Sequence, residues 1–129
     1  MPIFQDSAQM YAVLGQLWQQ LLDHPEQGSK FKQTGLSIKF NLTAPDGVIW
    51  IDAQKVHCGP LAGRADVEMT LSADTAHAFW LKKISLPTAL ATKQIVARGA
   101  MNKVMKMLPL LKPLYEAYPE ICRQHGLPL

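Results

Sequence analysis

The sequence predicts an α+β fold, a five-stranded and mainly antiparallel sheet covered on one face by helices. Three observations point there. Apolar residues in the N-terminal stretch recur at helical spacing, the middle of the chain switches to a period of two, and the C-terminal third is rich in methionine and interrupted by proline. The 129 residues are enough to bury a core and fit one domain, residues 1–129. A hydrophobic share of 48% against 18% charged describes a folded, soluble chain rather than a disordered one.

Met10, Val13, Leu14, Leu17, Trp18, Leu21 and Leu22 form one face of a first helix. Asp6 is placed to cap its start, with Gln9 three residues on, and Pro25 limits its end. Gly15, mid-helix, costs about 1 kcal/mol relative to alanine and points to a close packing contact. Leu36, Ile38, Phe40 and Leu42 then alternate with polar residues as a strand, and Pro45-Asp46-Gly47 turns the chain into a second strand to make a hairpin. Residues 55–59 suit a short third strand, and the breaker-rich residues 59–63 a connection. Val67, Met69 and Leu71 alternate with Asp66, Glu68 and Thr70 in a fourth strand, after which Ser72 or Asp74 can cap a helix over 74–83. Pro87 suits the first turn of another short helix, and residues 94–98 read as a fifth strand.

The last element, residues 99–115, places Met101, Val104, Met105, Leu108, Leu111 and Tyr115 within an arc of roughly 120° at 100° per residue, with Met107 at the edge. Pro109 withholds an amide from the Met105 carbonyl and Pro113 withholds another, so kinks or breaks are expected at both.

Little in the chain suggests catalysis. His24, His57, His77 and His125 fall on four separate elements without a metal-ligand pattern, and no nucleophile elbow or phosphate-binding glycine loop is present. Cys58 follows His57, but successive strand residues face opposite sides. Cys58 and Cys122, far apart, read as free thiols or small core residues. Neither a metal nor a cofactor is expected. No run reaches the roughly 18 apolar residues of a membrane span, and no secretory leader is visible, so the cytoplasm is the expected compartment.

Charge is unevenly spread. Residues 1–81 carry five Lys/Arg against eight Asp/Glu, and residues 82–129 carry eight against two. This basic third is interleaved with Leu, Met and Pro rather than with exposed aromatics, which speaks against nucleic acid. It either keeps an apolar region solvated or attracts an anionic surface, with Lys103, Lys106 and Lys112 as the contacts. Interrupted helices fit poorly on a sheet, and methionine adapts to the gap. An apolar cavity is therefore expected, walled by Met69, Phe79, Trp80, Ile84, Met101, Val104, Met105 and Leu108.

Residues 65–108 resemble the sterol carrier protein type two family. The resemblance lies in an aliphatic strand at 67–71, Ser72-Ala73-Asp74, short helices at 76–81 and 87–92, a strand at 95–99 ending in a basic residue and Gly99, and a helix opening with Met101 and Met105. The first helix and the hairpin follow the family's order too. The tail from 109 to 129 is rich in proline and looks like that of stand-alone microbial members. The resemblance implies a sterol carrier protein 2-like fold whose hydrophobic tunnel accepts fatty acids, acyl-CoA, phospholipid or sterol-like lipid, without catalysis. Two alternatives stay open: an accessory module using an apolar helix face, for example in a lipid-soluble quinone pathway, and a small enzyme acting on lipid thioesters.

Overall fold

Asp6 starts the first helix, α1 (Ser7–Asp23), by accepting a hydrogen bond from the Gln9 amide at 2.8 Å, and α1 ends at His24, one residue before Pro25. The computed structural model describes residues 3–61 and 63–129. All seven apolar residues of the predicted face of α1 are buried. Gly15 is the close contact: a Cβ there would stand 3.0 Å from the Cys58 sulfur.

A helix with no sequence signature follows, α2 (Gln27–Thr34), ended by Gly35 in the left-handed conformation. Its buried residues are Gly28 and Phe31. Gly28 lies so close to α1 that a Cβ would sit 2.6 Å from the Leu21 and Leu22 carbonyl oxygens, so backbone proximity rather than an apolar stripe holds α2 in place.

The sheet comprises β1 (Ile38–Thr43), β2 (Gly47–Ile51), β3 (Val56–Cys58), β4 (Val67–Ser72) and β5 (Ile95–Gly99), in the order β3-β2-β1-β4-β5. Three pairings are antiparallel, and the central β1–β4 pairing is parallel. The connection at 59–63 has no regular structure where described, and Ala62 lies outside the described residues. Register aligns the apolar faces: Phe40 pairs with both Ile49 and Met69, and Met69 with Ala97, while Leu42 pairs with Leu71, which pairs with Ile95. The other face is mixed, with Val48, Trp50 and Val96 among polar residues, and Asn41 donates to the Glu68 carboxylate across it at 2.6 Å.

Ser72 caps α3 (Ala73–Trp80) by accepting from the Thr75 amide, and Ser85 caps α4 (Leu86–Ala91), with Pro87 in its first turn. The C-terminal element is not one kinked helix. It is α5 (Met101–Met107), a 3-10 turn (Leu108–Leu111) that begins where Pro109 removes the helical donor, and α6 (Lys112–Gln124). The break expected at Pro113 does not occur, because this proline lies in the first turn of α6, where no helical amide is needed. Among the described residues no helix is long and apolar enough to cross a membrane.

Candidate functional site

The apolar face of the sheet and the helices over it do not close completely. Leu14 and Trp18 come from α1, and Phe40, Leu42, Ile49, Met69, Leu71 and Ile95 from the sheet. Ala76, Phe79 and Trp80 of α3, Leu86 of α4, and Val104, Met107, Leu108 and Leu111 complete the wall of a small cavity of about 50 Å³. Much of it is narrow. No side chain of the wall is titratable, so the space can recognise hydrocarbon and little else. Trp18 packs edge-on to Trp80 at 5.5 Å and against Phe40 at 5.5 Å, and Phe79 meets Trp80 edge-on at 5.0 Å. Phe40, Phe79 and Leu108 are only half-buried and mark where the cavity reaches the surface.

Of the eight wall residues expected from sequence, Met69, Phe79, Trp80, Val104 and Leu108 line this cavity. Ile84 and Met101 are half-buried against the core but outside the wall. Met105 is 50% exposed, whereas Met107, placed at the edge of the expected arc, is 2% exposed and lines the cavity. The buried face therefore runs through Val104, Met107, Leu111, Leu114 and Tyr118. It is turned by roughly 80° from the expected centre at 100° per residue. α2 lies against α5 and the 3-10 turn. Leu14, Trp18, Phe40 and Leu42 were visible as apolar faces of their elements, but only the strand register brings Phe40 beside Met69.

A model of the SCP-2 sterol transfer family matches residues 15–112. The chain belongs to that family. Among solved structures, sterol carrier protein 2 from Yarrowia lipolytica in its apo form is similar, with a TM-score of 0.61 at 20% identity over 87% of this chain and 96% of that one. Sterol carrier protein 2 of Aedes aegypti in complex with palmitate, a C16 fatty acid, gives 0.57 at 16% identity, over 82% and 94%. UbiJ-SCP2, a ubiquinone synthesis protein, gives 0.61 at 14% identity, over 80% and 93%. No curated protein matches the sequence. At these identities the structural likeness shows the fold, and the cavity of this SCP-2 family member has to be read from its own residues.

Its titratable groups stand apart from the wall. His77 is 2% exposed, with Nε2 2.8 Å from the Pro128 carbonyl oxygen and Nδ1 2.7 Å from the Tyr118 hydroxyl. A carbonyl can only accept, so Nε2 carries the proton and Nδ1 accepts from Tyr118. Burial lowers the His77 pKa and pushes those of Tyr118 and Cys122 up. This cluster is a neutral structural tie between α3, α6 and the C-terminal tail. Cys58 is exposed at the edge strand, its pKa raised by desolvation. Among the described residues no cluster of three His, Cys, Asp or Glu side chains is placed to hold a metal ion.

Proposed function

We propose that the protein is a non-enzymatic carrier of a long-chain lipid, a fatty acid, acyl-CoA, phospholipid or sterol-like molecule, held in the cavity under α3 and α5. The observation that carries this reading is the wall itself, entirely apolar and bounded by rings and flexible methionines. Burying ten methylenes releases about 8 kcal/mol before the entropy of binding is subtracted, so chain length alone supplies affinity. The palmitate complex of the Aedes aegypti relative supports the same ligand class. Because the cavity is narrow, loading requires its walls to part, and Met69 and Met107 can change rotamer at small cost.

Delivery follows from the outer side of α5. Lys103, Lys106 and Lys112 are exposed, as is Met105, a composition suited to an anionic bilayer, where each lysine near the surface contributes about 1 kcal/mol. The cytoplasm, facing anionic leaflets, is the compartment this reading favours. Met105→Asp is expected to weaken binding to anionic vesicles several-fold while leaving the urea midpoint unchanged, because the side chain already faces solvent. Equal vesicle binding by the two proteins in a sedimentation assay would remove α5 from the docking surface.

The carrier reading is tested by native mass spectrometry and by tryptophan emission. Trp18 and Trp80 line the cavity, whereas Trp50 is on the opposite face of the sheet, with its indole donating to Asp52 at 3.2 Å. Palmitate should therefore shift the emission. Trp18→Phe and Trp80→Phe should each diminish the shift, and Trp50→Phe should preserve it. Protein recovered only empty and silent to palmitate sinks the proposal.

A second reading, an accessory module in lipid-soluble quinone synthesis, is favoured by the likeness to UbiJ-SCP2. A stable protein complex that is lost on Met105→Asp, in a chain that takes up no lipid, would select it.

A further inference from the structure

The cavity wall has no charge, but a cation stands close to its half-buried edge at Phe79. Phe79, half-buried in the wall, packs against Tyr115 at 5.6 Å between ring centroids, and Trp80 lies 5.2 Å from the same ring. The Lys82 ammonium stands 5.5 Å from the Tyr115 centroid, within the range in which a cation is drawn to an aromatic face. A continuous path thus runs from hydrocarbon wall to aromatic rim to cation.

Lys82 is held there by the end of α3. It adopts a left-handed backbone, φ 62°, while its amide bonds to the Phe79 carbonyl and the Lys83 amide reaches back to Ala78, a helix stop at which glycine is the cheaper residue. Lys93 ends α4 in the same way, so the turn alone marks nothing. What distinguishes Lys82 is the ring beneath it. Among the described residues the ion pairs are Lys30–Glu26 and Arg123–Glu120, which leaves the Lys82 charge without a carboxylate. Burial raises the Tyr115 pKa, so its hydroxyl remains a donor at neutral pH.

We infer that Lys82 and Tyr115 form the headgroup site of the cavity and select a single-chain amphiphile with an anionic head, a carboxylate or a phosphate. This rests on the carrier reading. The alkyl chain enters past Phe79 while the head stays at the surface, where the ammonium leaves the Tyr115 face to pair with it and the phenol donates a hydrogen bond.

Three ligands with the same C16 chain test the idea: palmitate, hexadecyl phosphate and hexadecanol, each titrated by displacement of a fluorescent fatty acid. The wild type is expected to bind one or both anions about fivefold more tightly than the alcohol, the range of a partly exposed ion pair. Lys82→Met should bring anion and alcohol to parity with alcohol affinity unchanged, and Lys93→Met, which removes the same charge from the same kind of helix end, should keep the preference. A preference for palmitate alone assigns the head as a carboxylate, and one for the phosphate alone as a phosphoryl group. Equal binding of all three by the wild type, or the same loss in Lys93→Met, overturns the headgroup site and leaves lipid carriage standing. Failure of all three to bind overturns both.

Discussion

Gly99→Ala is expected to destabilise the protein by about 4 kcal/mol, the sum of a strained backbone and a collision that cannot relax. Gly99 ends β5 with φ 108°, a conformation that residues with a Cβ rarely adopt. Its Cβ would also strike the Asp66 carbonyl oxygen and come within 3.1 Å of the Val67 Cα. Both obstacles are backbone, and both belong to the start of β4, which pairs with Gly99 through Val67. The clash can be relieved only by moving one strand off the other, and the Ala100 amide bond to Asp66 would go with it. Urea unfolding should show the loss as a lower midpoint with an unchanged slope. Gly35→Ala is the comparison. Gly35 also has positive φ, 64°, but a Cβ there meets nothing within 4 Å, so only the backbone term of about 1 kcal/mol remains. Equal costs at the two glycines would show that the close approach of β4 and β5 contributes nothing.

His77→Phe is expected to cost about 3 kcal/mol, because the ring is replaced in shape but two buried partners lose their hydrogen bonds. The Tyr118 hydroxyl, on a residue with no exposed surface, loses its acceptor, and the Pro128 carbonyl loses its donor. A pH dependence accompanies this. Burial holds the native His77 pKa below 6.5, so the unfolded chain takes up a proton at a pH where the native protein does not. The His77 contribution is therefore complete above about pH 6.5 and declines as pH falls from there through the lower native value. Thermal unfolding of the wild type should show this decline between pH 7 and pH 5, and His77→Phe should flatten it. A variant destabilised more at pH 7 than at pH 5 supports the tie. A wild type that gains stability on acidification through this window, with the gain lost in the variant, overturns the assignment of a neutral imidazole.

The elements that could be read from sequence are those whose structure is set by their own periodicity. The stripe of α1, the alternation in β1 and β4, the caps at Asp6 and Ser72, and Pro87 in the first turn of α4 are local patterns, and each occupies its expected place. α2 was illegible because Phe31 is its one large buried side chain, and what anchors it is the missing side chain of Gly28. The arc drawn over residues 101–115 assumed one continuous helix, whereas α5 ends at Met107 and a 3-10 turn follows; Met105 faces solvent and Met107 the wall. The helical course of the tail to Gln124 was likewise hidden by Pro113 and Pro119, the first harmless in an opening turn and the second carried inside α6. The buried tie at His77 joins α3 to residues 41 and 51 positions further along, so no local pattern could reveal it.

The parallel pairing of β1 with β4 makes the sheet two antiparallel sections joined along a central seam, β3-β2-β1 on one side and β4-β5 on the other. The seam pairs Ile38 with Val67 across 29 residues, a span like the 24 to 32 residues between the partners of β4 and β5, so both pairings are non-local and their closure costs loop entropy. Phe40 and Met69 face each other across that seam and both line the cavity. On the carrier reading, a lipid chain lying over them touches both sections at once and acts as a removable staple. At a hundred times its dissociation constant such a ligand adds about 2.7 kcal/mol to the folded state. Cargo and architecture are then linked in both directions: the protein that has just delivered its lipid is also the one whose two sections are held together least firmly.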